Sequence, residues 1–455
     1  MPSADLVILG GGSGGYACAL RAAELGKSVI LIDKDKLGGT CLHRGCIPTK
    51  ALLHAAEIAD AARESEQFGV RATLEGIDMP KVNEYRDGVV GRLYKGLQGL
   101  VKSRNVTLVE GAGRLISPNT VEVNGEQYTG TDVVLATGSY ARSLPGLPIG
   151  GRIMTSDQAL NLDYVPSSVI VLGGGVIGVE FASVWRSFGS EVTIIEGLPH
   201  LVPNEDEAAS KALERAYRKR GINFSLGIRF ASAEQDDSGV TVTLEDGTVF
   251  RADLLLVAVG RGPNTEDMGY EEQGITMERG WVLVDERQHT NLPHVYAVGD
   301  ITPGLQLAHR GFQHGIFVAE EIAGLSPVVI PDVNIPKVTY CEPEVASVGL
   351  SEVEARAQYG DAVQTYEYNL GGNGKSQILG TAGFVKLVSI TDGPVVGVHM
   401  VGSRVGEQIG EAQLIVNWEA HPDDVAVLIH AHPTQNEALG EAHLALAGKP
   451  LHSHA

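Results

Sequence analysis

The sequence contains two copies of one pattern: an apolar run of strand length, a G-x-G-x-x-G turn, a helical run, and a second apolar run that ends in an acid. The turns consist of Gly10, Gly12 and Gly15 in the first copy and Gly173, Gly175 and Gly178 in the second. The acids are Asp33 and Glu196, so 23 residues separate the first glycine from the acid in both copies (33 − 10 and 196 − 173). The glycines allow a pyrophosphate to approach the helix N-terminus, and the acid binds a ribose hydroxyl. The two copies therefore predict a chain that binds two dinucleotides, each at a parallel α/β unit.

Glu196 also indicates which dinucleotide the second copy binds. A carboxylate at this place binds the free 2′-hydroxyl of NAD and repels the 2′-phosphate of NADP. The next residues, 197–199, are Gly-Leu-Pro and include no arginine. We therefore expect NAD at the second copy.

Two of the four cysteines, Cys41 and Cys46, lie five positions apart shortly after the first acid. A regular helix would place them on different faces, so a bonded pair needs an irregular turn, which Gly45 permits. Pro48 suits the first turn of the helix that follows, and Cys46 would then lie at a helix N-terminus, where the dipole favours a thiolate. The spacing alone leaves open a redox pair, an inert reduced pair and half of a metal site.

The rest of the chain shows long helices first and mixed elements later. Helical patterns cover about 48–65 and 79–103, and from about residue 335 antiparallel strands alternate with helices. One apolar run closes with Thr137, Gly138 and Ser139, and small residues there suit the close approach of a ligand. Another run ends at Asp300, which would hold a ligand hydroxyl or cap a helix; the sequence leaves both open.

Length and charge limit the class of protein. The chain has 455 residues, which exceeds one hydrophobic core and predicts two to four domains. Its net charge of −21 opposes binding to nucleic acid or to an anionic membrane. We expect no signal peptide, and no apolar run reaches the ~18 residues that a membrane span needs. With only four cysteines, we expect a cytoplasmic protein whose cysteine pair is catalytic.

The remaining cysteines and histidines point to no metal. Cys18 lies on the apolar side of a helical run, where it would pack in the core, and Cys341 is expected to be structural. Histidine pairs at 430/432 and 452/454 have no accompanying cysteines or clustered acids. We expect no metal site.

Together these residues resemble the flavoprotein disulfide reductases, the class I pyridine nucleotide-disulfide oxidoreductases, and especially their actinobacterial members that oxidise dihydrolipoamide. The resemblance covers nearly the whole chain. It rests on the two glycine turns and on the motifs Gly-Gly-Thr-Cys41-x4-Cys46-Ile-Pro-Thr-Lys50, Ala136-Thr137-Gly138, Gly299-Asp300 and His432-Pro433-Thr434 followed by Glu437.

The resemblance implies an α/β fold with two Rossmann-like dinucleotide-binding domains and an α+β C-terminal dimerisation domain. Residues 1–147 would form the first part of the FAD-binding domain and 148–265 the NAD-binding domain. Residues 266–334 would return to the FAD-binding or central domain, and 335–455 would form the dimerisation, or interface, domain.

The resemblance also assigns cofactor positions. FAD would contact Gly10, Gly12, Gly15, Asp33, Lys50, Gly113, Thr137, Gly138, Ser139, Asp300 and Ala308, with Lys50 paired to Glu180. NAD would contact Gly173, Gly175, Gly178, Glu196, Phe230 and Gly260. Two positions depart from the family pattern: Asp33 replaces a more usual Glu, and Gln313-His314-Gly315 is an uncommon ending, for which we expect no role of His314.

By the same resemblance, the activity is the oxidation of protein-bound dihydrolipoamide to lipoamide. His432, oriented by Glu437, would take a proton from the substrate dithiol, which would attack Cys41 of a Cys41–Cys46 disulfide. Cys46 would face the flavin, and the electrons would pass through FAD to NAD+.

The histidine would come from the partner subunit, so the resemblance implies a homodimer with shared active sites. Lipoylated acyltransferases or H-protein-type proteins would be its partners. Two alternatives stay open: a sister reductase of low-molecular-weight disulfides of the mycothione type, and a non-catalytic flavoprotein scaffold subunit.

Overall fold

A computed structural model describes residues 2–452 of the chain, which build three large sheets with helices packed against them. His454, the last residue of the second predicted histidine pair, lies outside the described residues.

The first sheet has seven strands in the order β3-β2-β1-β6-β5-β4, with a late strand, β19 (Val295–Ala297), paired to β6. The strands β1 and β2 are buried apolar runs that pair in parallel, as the sequence predicts. The elements of this first stretch are β1 (Ser3–Leu9), α1 (Ser13–Glu24), β2 (Val29–Asp33), α2 (Gly39–His43), α3 (Cys46–Glu64), α4 (Met79–Ser103), β3 (Thr107–Glu110), β4 (Gly113–Ser117), β5 (Thr120–Val123), β6 (Glu126–Leu135) and β7 (Ser139–Ala141).

The second sheet is parallel, with the strand order β11-β10-β9-β15-β8, and a three-stranded antiparallel sheet of β12 to β14 accompanies it. Its elements are β8 (Ile153–Met154), α5 (Ser156–Ala159), β9 (Ser168–Leu172), α6 (Val176–Phe188), β10 (Glu191–Glu196), α7 (Glu207–Arg220), β11 (Asn223–Leu226), β12 (Phe230–Asp236), β13 (Gly239–Leu244), β14 (Val249–Ala252), β15 (Leu254–Val257) and β16 (Arg261–Pro263). β16 pairs with β7, so the chain leaves and re-enters the first unit through adjacent strands.

The chain then returns to the first sheet. The elements of this stretch are β17 (Met277–Glu278), β18 (Trp281–Val282), β19 (Val295–Ala297) and α8 (Ala308–Ile322). β19 pairs in parallel with β6, and α8 packs on α1. Gly315 permits this close packing, because a Cβ there would lie 2.2 Å from the Gly14 carbonyl oxygen.

The last sheet is antiparallel, with the order β20-β21-β24-β23-β22. Its elements are β20 (Lys337–Thr339), β21 (Glu344–Gly349), α9 (Glu352–Tyr359), β22 (Val363–Asn369), α10 (Gly374–Leu379), β23 (Phe384–Ile390), β24 (Val395–Gly402), α11 (Val405–Asn417), α12 (Pro422–Ala426) and α13 (Glu437–Leu446). Short 3₁₀ turns cover Ser65–Phe68, Gly299–Ile301, Asp332–Asn334, Gly360–Ala362 and Leu370–Gly372. The predicted α/β fold class is confirmed, whereas the division into four segments stays a prediction.

One buried cluster joins the units around the cysteine helix. Leu52 on α3 belongs to the same apolar core as Phe181 on α6 and Phe384 on β23. Cys341 is part of this core, and Cys18 is part of the core under the first sheet, as expected. Because α3 and α6 share this core, their side chains meet at a defined place.

Two kinds of feature are absent from residues 2–452, a helix that could cross a membrane and a cluster of metal-binding side chains. None of the helices in this range is long and apolar enough to cross a membrane. Within the same range no three His, Cys, Asp or Glu side chains cluster in a way that suits a metal ion.

Candidate functional site

The first glycine turn joins β1 to α1 and leaves one side open. Gly10 has φ +109°, and a Cβ at Gly15 would lie 1.8 Å from the Gly10 carbonyl oxygen, so both places demand glycine. Nothing lies within 4 Å of a Cβ at Gly12, which precedes the first residue of α1. The open N-terminus of α1 can therefore accept a pyrophosphate.

Asp33 closes this turn at the end of β2. Its carboxylate accepts hydrogen bonds from the backbone amides of Gly11 and Asp35. An ionised carboxylate has about four acceptor sites, so it retains capacity for a ribose hydroxyl. The shorter Asp33 therefore fits the place where the family pattern has Glu.

The second turn, between β9 and α6, repeats the first closely. Gly173 has φ +111°, and a Cβ at Gly178 would lie 1.9 Å from the Gly173 carbonyl oxygen. Gly175 again has open space around it. Glu196 accepts from the amides of Gly174 at 2.7 Å and Leu198 at 2.8 Å. The repeat seen in the sequence is thus a repeat of local geometry.

The cysteine pair spans a break between two helices. α2 ends at His43 and α3 begins at Cys46, which confirms the predicted irregular turn and places Pro48 in the first turn of α3. Gly45 has φ −145° and ψ −108°, and a Cβ there would lie 3.1 Å from the Thr40 carbonyl oxygen. Gly45 is therefore favoured by close approach and not by a positive φ.

Cys41 and Cys46 are half-buried free thiols, and their acidities diverge. The hydrogen bond with Cys41 lowers the pKa of Cys46 to about 7, burial opposes this shift, and the positive charge of Lys50 supports it. The same hydrogen bond, together with burial, raises the pKa of Cys41 well above its ordinary value. Near neutral pH Cys46 therefore titrates between thiol and thiolate, while Cys41 stays protonated.

Lys50 and Glu180 form an ion pair between α3 and α6. Lys50 Nζ lies 2.9 Å from both carboxylate oxygens of Glu180, whose side chain is 3% exposed. Burial lowers the pKa of Lys50, but Glu180 outweighs it and the net shift is upward. Tyr340 completes the arrangement: its amide donates to Glu180 Oε1 at 3.0 Å, and its ring lies 4.7 Å from Lys50 Nζ. Sequence reasoning did not identify Tyr340.

A polar network lies beside Thr40, the residue before Cys41. Ser139 Oγ donates to Asp300 Oδ2 at 2.6 Å and accepts from Arg261 Nε at 2.8 Å. Arg261 also lies 3.5 Å from Thr40 Oγ1, next to Cys41, and burial lowers its pKa. Asp300 lies in the 3₁₀ turn Gly299–Ile301, whereas Leu307 precedes α8, so the helix-cap alternative for Asp300 is wrong. Arg261 was also missed, since β16 brings it here through its pairing with β7.

The other predicted cofactor residues lie close to strand or helix ends. Thr137 Oγ1 donates to the Asn264 carbonyl at 2.6 Å, and Gly138 and Gly260 have φ +76° and +106° with open space beside them. Ala308 begins α8, Gly113 begins β4 and Phe230 begins β12. Gly113 is the enclosed member of this set: a Cβ there would lie 2.6 Å from Leu9 Cδ1.

His432 and Glu437 meet each other but not the cysteines. His432 Nδ1 lies 2.8 Å from Glu437 Oε1, and the Thr434 amide donates to Glu437 Oε2 at 2.7 Å. Burial raises the pKa of Glu437, but these two hydrogen bonds outweigh it and the net shift is downward. The His432 side chain is 76% exposed, and within the described part of the chain none of its hydrogen bonds reaches Cys41 or Cys46.

His314 and the terminal histidines show no ligand cluster. His314 lies on α8 with its Nδ1 buried and without a hydrogen-bond partner among residues 2–452, and burial lowers its pKa to about 4. His430 pairs with Glu411 and His452 with Glu441. Each histidine of the predicted pairs thus binds its own carboxylate where the structure describes it.

Comparison with known proteins assigns the chain to a family. Residues 4–315 match the family model described as pyridine nucleotide-disulphide oxidoreductase, and residues 335–443 match that family's dimerisation domain. The chain is 41% identical to the dihydrolipoyl dehydrogenase of Bacillus subtilis, over 98% of this chain and 99% of that protein. It is 38% identical to the mitochondrial dihydrolipoyl dehydrogenase 1 of Arabidopsis thaliana, over 98% and 91%.

Among solved structures, LpdA from Mycobacterium tuberculosis superimposes with a TM-score of 0.90 at 28% identity, over 98% of this chain and 100% of that one. The HOCl-induced flavoprotein disulfide reductase RclA from Escherichia coli gives a TM-score of 0.85 at 26% identity, over 96% and 99%.

Proposed function

Because the chain belongs to the pyridine nucleotide-disulphide oxidoreductase family, we propose that it is an NAD-dependent dihydrolipoyl dehydrogenase, a flavoprotein that oxidises dihydrolipoamide. The enzyme uses FAD and NAD. One observation carries the proposal: α3 begins with the acidic thiol of Cys46 and is joined through Lys50 to Glu180, on the helix that begins at the second dinucleotide turn. The thiol pair is thereby linked to the second dinucleotide turn, and the amide of Gly38, just before α2, donates to the Gly11 carbonyl in the first turn at 2.8 Å.

The residues fit the two cofactors. The first turn, with Asp33, would hold the pyrophosphate and ribose of FAD, and Lys50, Ser139 and Asp300 would surround the rest of the flavin nucleotide. The second turn, with Glu196, Phe230 and Gly260, would hold NAD. When bound, FAD accepts two electrons from the dithiol and NAD+ accepts them as hydride.

The protein's own side chains perform the thiol chemistry. His432 of the partner subunit removes a proton from one substrate thiol, and the resulting thiolate attacks Cys41 of the disulfide. The new substrate–Cys41 bond replaces the Cys41–Cys46 bond, and Cys46 leaves as a thiolate. The second substrate thiol loses its proton and attacks the substrate sulfur of the mixed disulfide, so that lipoamide closes and Cys41 leaves and is protonated.

The opposite pKa shifts support this division of roles. The low pKa of Cys46 makes it the better leaving group, because a more acidic thiol leaves faster. The raised pKa of Cys41 keeps it protonated after lipoamide departs. Glu437 accepts a hydrogen bond from His432 Nδ1–H, which leaves Nε2 to exchange protons with substrate.

The match to the dimerisation domain indicates a homodimer. We propose that the active sites are shared between subunits, because His432 is exposed and does not reach Cys41 within one chain. We further propose the division 1–147, 148–265, 266–334 and 335–455, lipoylated acyltransferases or H-protein-type proteins as partners, and a cytoplasmic location.

Dithiol-dependent NAD+ reduction tests the proposal. The purified holoenzyme should reduce NAD+ with dihydrolipoamide faster than it reduces mycothione or other low-molecular-weight disulfides with NADH. A preference for such disulfides would support a sister reductase. Bound FAD without either activity would support a scaffold subunit and overturn the proposal.

A further inference from the structure

Glu196, the acid of the second dinucleotide site, lies where two backbone amides converge on its carboxylate. The amides of Gly174 and Leu198 donate to different oxygens of the Glu196 carboxylate, at 2.7 and 2.8 Å. Two converging amides near a helix N-terminus form the kind of donor set that binds anions. The protein's own carboxylate therefore occupies the place where a phosphate on the 2′-oxygen of the adenosine ribose would otherwise bind.

The side-chain stem of an arginine reaches the same corner from a distant part of the sequence. Glu196 and Leu226 are register partners in the parallel strands β10 and β11, and the amide of Gly227 donates to the carbonyls of both Glu196 and Leu198 at 2.9 Å. The chain therefore turns directly beside the acid. Two residues later, Arg229 Cγ lies 3.7 Å from the position of a Cβ on Gly197.

Arg229 is exposed, and among residues 2–452 its guanidinium has no ion-pair or hydrogen-bond partner. The first dinucleotide site has the same backbone contact next to its acid: the amide of Gly111 donates to the carbonyl of Asp33 at 2.8 Å. At the first site, however, Gly111 is followed by Ala112 and Gly113. Gly113 therefore takes the position that Arg229 has at the second site, and it carries no charge. The free arginine is thus a property of the second site.

We propose that Arg229 is a latent phosphate-binding residue, and that Glu196 alone keeps the second site selective for NAD over NADP. This inference rests on the proposed NAD site. The sequence suggested two barriers to NADP, the acid and the lack of an arginine after it, but the fold supplies the arginine. Removing the carboxylate would free two amides beside Arg229, and a 2′-phosphate would find three donors and a positive charge.

Cofactor kinetics test the inference in the holoenzyme. Glu196→Ser should raise kcat/KM for NADP+ roughly ten-fold or more, the effect expected of one hydrogen bond to a charged group. Glu196→Ser/Arg229→Leu should lose this gain. Glu196→Ser/Arg215→Leu should keep it, because Arg215 is an exposed arginine on α7 in the same unit and its removal changes the net charge equally. Retention of the gain without Arg229 would overturn the proposal.

Binding of 2′,5′-ADP gives a second readout that needs no turnover. Calorimetry on Glu196→Gln, which keeps the shape of the side chain, should show tighter binding of 2′,5′-ADP than of 5′-ADP. Adding Arg229→Leu should abolish this difference, and adding Arg215→Leu should not. Equal affinities in Glu196→Gln would overturn the proposal. A wild-type enzyme without dithiol:NAD+ activity would instead overturn the proposed function, and the binding comparison would still test Arg229.

Discussion

The ammonium of Lys50 lies 2.9 Å from both carboxylate oxygens of Glu180, although 130 residues separate them in the chain. Lys50 lies one turn after Cys46 on α3, and Glu180 lies one turn into α6. The pair therefore joins the thiol helix to the helix that begins at the second dinucleotide turn. The positive charge of Lys50 contributes to the low pKa of Cys46, whereas the negative charge of Glu180 opposes it.

Replacing Glu180 by Gln should slow turnover roughly ten-fold without loss of FAD. The amide cannot neutralise Lys50, whose side chain is only 30% exposed, so the ammonium loses its position or its proton. Dihydrolipoamide:NAD+ activity and the flavin-to-protein ratio measure the effect. Glu441→Gln, a change at another buried glutamate, is the control and should keep normal turnover. Normal activity in Glu180→Gln would remove the pair from catalysis.

The reactivity of Cys46 should follow a titration near pH 7. Below this pH the thiol is neutral and unreactive, and above it the thiolate is alkylated, because the hydrogen bond from Cys41 lowers its pKa. Cys41→Ala removes that bond and should move the midpoint to higher pH. Iodoacetamide labelling of the reduced holoenzyme, followed by mass spectrometry, measures both profiles.

Cys18 and Cys341 provide an internal reference for this labelling. Burial raises the pKa of the Cys18 thiol to about 12 and that of Cys341 further, so neither should react in the neutral range. An unchanged midpoint in Cys41→Ala would contradict the assigned cause of the shift.

His432→Gln should lower dithiol oxidation by about 10²–10⁴-fold, the range for loss of a general acid–base group, while FAD stays bound. Glu437→Gln should show a smaller loss, because it orients the ring and does not exchange the proton. His452→Gln is the matched control: it is another exposed histidine paired to a glutamate, Glu441, and it should be fully active. Full activity of His432→Gln would exclude it as the base.

Shared active sites predict that two inactive variants complement each other. A heterodimer of a His432→Gln subunit and a Cys46→Ser subunit has one site with both residues intact, whereas each homodimer has none. Co-expression with two different tags isolates the heterodimer for assay. Activity confined to background would show that each site is built from a single chain.

Lys386→Met should lower the stability of the folded protein by about 3–5 kcal/mol, the cost of leaving a buried charge unpaired. Lys386 Nζ lies 2.8 Å from Asp206 Oδ1 and from Glu352 Oε2, and it joins α7 to the last sheet. Lys211→Met breaks the exposed Lys211–Glu207 pair and should cost only about 0.5 kcal/mol. Thermal unfolding of the holoenzyme compares the two.

The pH dependence of this pair has a defined sign. Burial raises the pKa of Asp206, but other contacts, among them the hydrogen bond from Lys386, outweigh burial. The pKa therefore lies below its ordinary value of 3.8. Burial lowers the pKa of Lys386, but Asp206 and Glu352 together outweigh it, so that the pKa lies above its ordinary value of 10.5. The stabilisation is therefore complete between these values and falls off only outside them. A wild-type advantage over Lys386→Met that shrinks between pH 5 and 9 would contradict these shifts.

Local periodicity predicted the elements near the site well. The helical patterns at about 48–65 and 79–103 correspond to α3 and α4, which differ from them by at most two residues. Short-range rules suffice here, because side-chain spacing along one element decides which face is buried. The same rules left Asp300 undecided, since capping and ligand contact depend on where α8 begins.

Residues brought from distant strands escaped prediction. Arg261 reaches Thr40 and Ser139 because β16 pairs with β7, and Tyr340 reaches Lys50 because the last sheet packs on α6. Neither residue carries a motif of its own. Arg229 was missed for the same reason. Residues 197–199 contain no arginine, and from this we inferred that no cation lies near Glu196.

By itself, the sequence determined the two dinucleotide turns, their acids, and a helix that begins near Cys46, because glycine conformation and helix periodicity act over a few residues. The resemblance also implied the pairing of Lys50 with Glu180. Only the tertiary structure showed that Arg261 contacts Ser139 and that Arg229 lies against Gly197. These contacts join residues more than 30 positions apart. They arise from strand order and from shared apolar cores, which no local pattern in the chain specifies.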